Sequence, residues 1–366
     1  MFNKKKFSII MCSSLMILSL VSGCSKGKES AKTSEEDSYV INLGYYNCDH
    51  MTAAPVADQA GIYKELGLNV NIVGNGNVPE AMAAGQMDAG YIGTNGALGA
   101  VEKGSPLVIA ANNHSGGSHY LVVKKDLKDN QELIGKKIAA NFTDPYWTLS
   151  YAPGAGIPAE ADKYEPVDIK SDKDKYLAFK TGKIDAFVAC DPWGSVAELD
   201  GTGKIVSSDL YNRKVDNKTY NCCSFTLNQK FIDEHPELAK KMVLAHTKAV
   251  EFMYEHPVQA AKMFAKAYDV EEEVGLMTMY KKTVMEGRTI TWTLDEQAYK
   301  DTGDIYKKFN IIGKDFDVTK YMNTNLLKES GADDFDKFIK EKIDPIFPVG
   351  MSYDDWKAKA LEIDGE

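Results

Sequence analysis

The sequence predicts an α/β protein built as two lobes. Residues 39–73 read as strand, loop, helix and strand; the same unit recurs further along; and 366 residues exceed what one ordinary core accommodates.

The opening unit sets the pattern. Val40, Ile41 and Leu43, with Tyr45 and Tyr46, form an apolar run of the branched and aromatic residues that suit a buried strand. Pro55 stands near a first helical turn, where its missing N–H costs nothing. Val56, Ala60, Tyr63 and Leu66 then recur at spacings of three and four, which predicts one continuous helix face. Gly67 ends that helix, and Leu68, Val70, Ile72 and Val73 begin a second strand in a right-handed crossover.

The rest of the first lobe follows the same grammar. A helix is predicted over 78–84 and a strand over 88–92. The Gly93-Thr94-Asn95-Gly96 loop opens a helix over 97–103, and a strand follows over 107–111. Extended chain over 120–123 places the first passage between lobes near 118–125. The second lobe restarts with strands over 137–141 and 164–169, a helix over 173–181 and a strand over 184–189. Pro192 then suits a helix start, and Ile205 and Val206 make a short strand. Residues 220–227, YNCCSFTL, are extended and return the chain to the first lobe. Glu234-His235-Pro236 and Glu255-His256-Pro257 each precede an amphipathic helix, a local echo too short for a solenoid. A helix over 295–309 and a polar-aromatic tail over 333–361, expected on the outside of a lobe, complete the chain. The division is then a leader (1–23), a tether (24–38), the first lobe (39–120), the second lobe (121–218), a helical return to the first lobe (219–330) and the tail (331–366).

Charge excludes some functions. The formal net charge is −10, and −13 without the leader lysines Lys4, Lys5 and Lys6. Such a surface disfavours nucleic acid and does not attract anions from a distance. Arg213 and Arg288 are the only arginines, too few for a guanidinium clamp on a phosphate or sulfonate. No GxxxxGK[ST] run is present, so the chain is not itself an ATPase of the P-loop kind.

The N-terminus has a basic start, an apolar run over 7–20 and Val21-Ser22-Gly23-Cys24. It resembles the lipobox of bacterial lipoproteins, which implies removal of residues 1–23 and lipidation of Cys24. The apolar run is short for a membrane span. Residues 25–38 have tether composition and would hold the body roughly 20 Å from the lipid.

Six stretches together carry a wider likeness: the lipobox, PVADQAGIYKELGLNVNIV, EAMAAGQMDAGYIG, LIGKKIA, FKTGKIDAFVACDPW and FIDEHPELAKKM. Over residues 39–310 the chain resembles substrate-binding proteins of ABC importers, most closely the NitT/TauT type. That resemblance implies the type II periplasmic-binding-protein fold, with two crossing strands as a hinge and a ligand cleft between the lobes. It also implies capture of a small solute of the sulfonate, nitrate or vitamin-precursor class. A monomeric, lipid-anchored receptor facing outside the cytoplasm would hand that solute to a separate permease and ATPase. No catalytic group or cofactor is required. The competing class is enzymatic, the thiamine-pyrimidine synthases of this fold that use histidine and cysteine with iron; the lipobox opposes it, and no HExxH, nucleophile elbow or Rossmann fingerprint is present.

Ligands of open α/β sheets lie at the carboxyl ends of strands. Carried over position by position, the resemblance puts them at Asn47, Cys48 and His50; Asn75; Thr94 and Asn95; Ser115; Asp144, Tyr146 and Trp147; and Cys190, Asp191 and Trp193. Tyr146, Trp147 and Trp193 offer stacking surfaces or fill a lobe core. Arg288 is the candidate for an anionic group, and Trp292 for the cleft rim.

The cysteines open another reading. Cys48 and Cys190 sit at strand-end loops facing the expected cleft, while Cys222 and Cys223 are neighbours on the returning strand, so one of them faces the cleft and the other does not. Cys48, Cys190 and one hinge thiol, with His50, would suit a soft metal, a metal complex or an iron–sulfur cluster carried as cargo. Disulfides and inert buried thiols remain open alternatives. His114 and His119 flank the glycine-rich hinge as metal ligands, as a pH-sensitive latch or, more simply, as solvated side chains.

Overall fold

Short apolar runs become strands of two separate sheets. The computed structural model describes residues 38–46, 48–74, 77–116, 119–208 and 218–365. Cys24, nearly all of the tether, Arg213 and the candidates Asn47 and Asn75 lie outside the described residues. Strands β1 (Val40–Tyr45), β2 (Asn69–Gly74), β3 (Ala89–Gly93), β4 (Leu107–Ser115) and β10 (Asn221–Asn228) form the first sheet, in the order β2-β1-β3-β10-β4. Strands β5 (His119–Lys124), β6 (Lys137–Ala139), β7 (Glu165–Pro166), β8 (Ala186–Cys190) and β9 (Gly203–Ser208) form the second, in the order β7-β6-β8-β5-β9.

One strand in each sheet runs against its neighbours. β10 lies antiparallel between β3 and β4, and β5 antiparallel between β8 and β9. The last strand in chain order thus sits inside the first sheet, so the first lobe is built from two separate pieces of chain, whereas the second sheet comes from one continuous stretch. The chain leaves the first sheet at Ser115 and enters the second at His119, ahead of the expected passage at 118–125. β4 reaches Ser115 rather than stopping at 111 because β10 and residues 289–290 pair with its end: the Ser115 amide donates to the Thr289 carbonyl at 2.8 Å, and the Gly116 amide to that of Tyr220 at 2.7 Å.

Each sheet is covered on both faces. Ile41, Leu43, Phe225 and Phe264 belong to one core of the first sheet, and Val78, Ile92 and Tyr299 to the other. Leu121, Ile138 and Trp147 fill one core of the second sheet; Val122, Phe179 and Phe187 fill its counterpart. Each such side chain contributes about 1.5–3 kcal/mol through removal from water.

The predicted single helix after β1 is two. α1 (Ala53–Gln59) and α2 (Ile62–Glu65) are separated by Gly61, whose φ of +78° is cheap only for glycine. Val56 and Tyr63 are nevertheless both buried in the same core, so the apolar spacing outlasts the break. Further helices include α3 (Val78–Ala83), α4 (Thr94–Glu102), α5 (Asp172–Lys180), α6 (Trp193–Leu199), α7 (Pro236–Glu255), α8 (Pro257–Tyr268), α9 (Glu272–Tyr280), α10 (Glu296–Lys308), α11 (Phe335–Phe338) and α12 (Tyr353–Asp364). α7 and α8 both begin on proline, after His235 and His256 in nearly the same backbone conformation.

The tail is more than an outer layer. Phe335, Phe338 and Trp356 enter the main core of the first lobe. Trp292, expected at the cleft rim, is 2% exposed; its indole donates to the Asp333 carbonyl at 2.9 Å and its ring meets Phe335 edge-on at 4.8 Å. Among the described residues, no helix is long and apolar enough to cross a membrane.

Candidate functional site

A cavity of about 780 Å³ opens where the strand ends of the two sheets face each other, lined from both lobes. On the first lobe, β1 ends in a turn that carries Cys48, Asp49 and His50. Three bonds fix its backbone: the Tyr268 hydroxyl donates to the Cys48 carbonyl at 2.8 Å, the Met51 amide to that same carbonyl at 2.9 Å, and the Asn113 amide group to the His50 carbonyl. The Asp49 amide donates to the Asp191 carbonyl of the second lobe at 3.1 Å, a backbone link across the cleft. The turn is thus preorganised, and it presents Cys48 and His50 to the cavity.

The acid between them points elsewhere. Asp49 is fully buried, with one oxygen 3.1 Å from His50 Nδ1 and the other 2.9 Å from Lys282 Nζ. Burial alone would raise its carboxyl, but Lys282 and His50 outweigh that and hold it well below the carboxylate range. Lys282, also without exposure, lies in a π-helical turn (Lys281–Met285), 2.8 Å from Glu286 Oε2 and 3.0 Å from the Tyr120 hydroxyl of the second lobe. The adjacent Lys281 bonds Ser195 at 2.8 Å and Glu198 at 3.1 Å, and stands 3.6 Å from Asp191. These two ammonium groups tie the back of the cleft together.

The second lobe contributes the start of β5 and the ends of loops around β8. Cys190 at the end of β8 approaches the Asp172 carboxylate at 3.3 Å through its thiol and at 3.2 Å through its amide. Asp172 is further held by Lys175 at 2.7 Å. His119 opens β5 and lines the same wall. Trp193 lines the cavity and stacks on Tyr176 with ring centres 5.6 Å apart.

The returning strand departs from simple alternation. Both Cys222 and Cys223 line the cavity, with sulfurs 3.5 Å apart, although neighbours on a regular strand face opposite ways. The cause is a bulge: Asn221 pairs with Ser115 and Cys223 with His114, so Cys222 is an extra residue against β4. Among the described residues, Cys48, Cys190, Cys222 and Cys223 are not joined in disulfides. The rings of His114 and His119 lie 5.5 and 6.3 Å from that of His50. His114 is fully buried, which removes the solvated reading for it.

These groups set one another's protonation. The Cys223 thiol hydrogen-bonds to Cys222 and, with His50, holds the Cys222 thiol well below its ordinary value. Burial would raise Cys48, but a hydrogen bond from Cys190 and the charge of His50 hold it down. Cys190, as the partner in that bond, and buried Cys223 are pushed up. Burial would lower His50, yet the sulfurs of Cys48 and Cys222 raise it well above the usual imidazole range. The directions of these shifts favour charge on His50 together with charge on Cys48 or Cys222.

Other candidates divide clearly. Asn95, Asp144 and Tyr146 line the cavity; burial raises the Asp144 carboxyl. Trp147 does not reach it: fully buried, it donates to the Ala159 carbonyl at 2.8 Å inside the second lobe. Thr94 is buried against Ser224 at 3.4 Å, and Ser115 accepts from Asn112 at 2.8 Å in the hinge. The Asp191 side chain turns inward to the Ser195 hydroxyl at 2.7 Å. Arg288 is remote from the cavity, bonding Asp344 at 2.6 Å and the Thr283 and Phe347 carbonyls. Among the described residues the cavity is lined by Lys170 and Lys173 but by no arginine, and by the carboxylates of Asp144, Asp172 and Asp269. Sequence reasoning missed Asp172, Tyr268 and Lys282. Ser171-Asp172 as a helix start and the Lys281-Lys282 pair inside an apolar helical run were the available signals.

Comparison with known proteins agrees with this architecture. Residues 47–260, more than half of the chain, match the family described as NMT1/THI5 like. A putative aliphatic sulfonates-binding protein of Bacillus subtilis (strain 168) is 26% identical over 158 residues, 42% of this chain and 44% of that protein, so the chain spans under half the length of this curated relative in the match. Among solved structures, the alkanesulfonate-binding protein SsuA from Xanthomonas axonopodis pv. citri, bound to MOPS, superposes with a TM-score of 0.62 at 17% identity, over 78% of this chain and 98% of that one. The ligand binding component of an ABC-type import system from Staphylococcus aureus, with zinc bound, reaches 0.64 at 16% identity, over 81% of this chain and 100% of that one.

Proposed function

Because the chain belongs to the NMT1/THI5-like family, we propose that it is the solute-binding subunit of an ABC importer, capturing a small solute between its lobes and delivering it to a separate permease and ATPase. The observation that carries this reading is the cavity of about 780 Å³ between two separately cored sheets, joined by strands that cross where the cavity begins. Two rigid bodies on a strand hinge can close on a ligand and reopen, which is what capture and release require. The ligand leaves unchanged, and no turnover is expected. Lipidation at Cys24 anchors the body outside the cytoplasm, with residues 25–38 as its tether.

The sulfonate-binding relatives support sulfonates as the first solutes to test, with nitrate and vitamin precursors completing the wider class. A sulfonate here would be held by Lys170, Lys173 and neutral donors such as Asn95 and Tyr146, with its organic part against Trp193. Thermal-shift and calorimetric titration with methanesulfonate, MOPS, taurine, nitrate and thiamine pyrimidine, followed by mass analysis of the recovered ligand, tests the reading. A saturable single-site shift with ligand recovered unchanged is expected. Conversion of any of them, or a shift that survives Trp193→Ala and Asn95→Ala together, would overturn it.

A further inference from the structure

Two clusters of donor atoms face each other across the cavity, and each belongs to one lobe. His50, Cys222 and Cys223 on the first lobe offer donors that all lie within 4.8 Å of one another, and His119, Asp172 and Cys190 on the second do the same. Cys48 stands between them, its sulfur 3.2 Å from His50 Nε2 and in hydrogen-bond contact with Cys190. We propose that the cleft binds a thiophilic d-block cation, Zn²⁺ or Cu⁺, through these two half-sites, so that the metal is ligated from both lobes. The proposal rests on reading the cleft as the solute site and names the class of cargo it takes.

Geometry, donor chemistry and burial support it separately. With metal–sulfur and metal–nitrogen bonds of about 2.0–2.3 Å, ligands on a tetrahedral ion stand roughly 3.3–3.8 Å apart. The two sulfurs at 3.5 Å already satisfy that spacing, and a 4.8 Å span closes with side-chain shifts of about 1 Å. Four sulfurs and two imidazoles form a set that selects soft and borderline ions over Mg²⁺ or Ca²⁺. Cys48, Cys190, Cys223 and His50 are all buried, yet all four line the cavity, an arrangement that plain core cysteines do not require. The bulge that turns Cys222 to the same side as Cys223 has a use on this account, because a regular strand would supply one sulfur and not two.

The test uses the full mature chain, reduced and handled under nitrogen. Co²⁺, the spectroscopic stand-in for zinc, is titrated first, then displaced by Zn²⁺; Cu⁺ is measured by competition with a chromophoric chelator. The expected result is saturation with thiolate-to-cobalt charge transfer, and affinity at least roughly 100-fold weaker in both Cys222→Ser/Cys223→Ser and Cys190→Ser. In the parent protein, Zn²⁺ should protect Cys48, Cys190, Cys222 and Cys223 from alkylation, a readout that does not depend on the variants folding. Absence of charge transfer together with unprotected thiols would overturn the site. Full affinity in Cys190→Ser with loss in the other variant would overturn ligation from both lobes. Were methanesulfonate to shift the melting of a protein that takes up neither Co²⁺ nor Cu⁺, the receptor reading would stand and this inference alone would fall.

Discussion

Lys282→Met should destabilise the protein strongly, and more at neutral pH than in acid. Lys282 lies within 3 Å of two buried carboxylates, at 2.9 Å from Asp49 and 2.8 Å from Glu286. Removing one partner of such a buried arrangement leaves uncompensated charge and costs about 3–5 kcal/mol. At about 2–4 °C per kcal/mol for a body of this size class, melting should fall by roughly 6–20 °C. The sign with pH follows from both partners. Asp49 is held below its unfolded value, so its contribution is present above about pH 4 and lost as pH falls through the folded value. Lys282 is held above its unfolded value, so its contribution is present below about pH 10 and lost as pH rises through the folded value. In Lys282→Met the carboxylates can instead take up protons, so the deficit should shrink between pH 7 and pH 5. Thermal unfolding followed by circular dichroism at both values, with Lys282→Met/Asp49→Asn as the paired variant, measures this. A Lys282→Met protein melting within about 2 °C of its parent at pH 7 would refute the reasoning.

Four further outcomes are expected. Trp193→Ala should weaken solute binding roughly two- to twelvefold with little loss of melting temperature, since stacking contributes about 0.5–1.5 kcal/mol; calorimetry and thermal unfolding read the two effects. Trp147→Ala should do the reverse, costing about 3–5 kcal/mol of stability in denaturant titration as a buried aromatic of the second lobe. Arg288→Ala should leave solute affinity unchanged while costing about 1–3 kcal/mol, because its bonds fasten the tail rather than a ligand. His246, buried and lowered to about 4, contributes stability that is present above its unfolded value near pH 6.5 and lost as pH falls toward 4. His246→Gln should therefore flatten the acid side of the stability curve measured by denaturant titration.

Strand-end loops were legible because periodicity locates strand ends, and chain topology then converts ends into a cleft. Cys48, His50 and Cys190 were reached in that way, Asn95, Asp144, Tyr146 and Trp193 through the family likeness, and all seven line the cavity. Orientation was not legible where helix phase decides it: Trp147 and Trp193 occupy comparable loop-to-helix positions, yet one turns into a core and the other into the cavity. Alternation along β10 failed at Cys222 because a bulge is set by pairing with β4, a partner more than 100 residues away in the chain. The buried ion-pair network of Lys282 escaped for a related reason. Glu286 is a local partner four residues on, but only tertiary packing brings Asp49 to Lys282 and buries all three charges. Arg288 looked available for an anion for the same lack of tertiary context, since Asp344 and the Phe347 carbonyl come from the tail.

The most direct test of the receptor reading is small-angle X-ray scattering of the mature chain with and without ligand, using methanesulfonate in one series and, under nitrogen, Zn²⁺ in another. Saturation with the ligand that binds should reduce the radius of gyration through closure of the lobes; the concentration at which that reduction is half complete should rise in Trp193→Ala for the organic solute, and the metal concentration needed should rise strongly in Cys190→Ser. A ligand that saturates one site per chain while the radius of gyration stays constant would contradict capture by closure of the cleft.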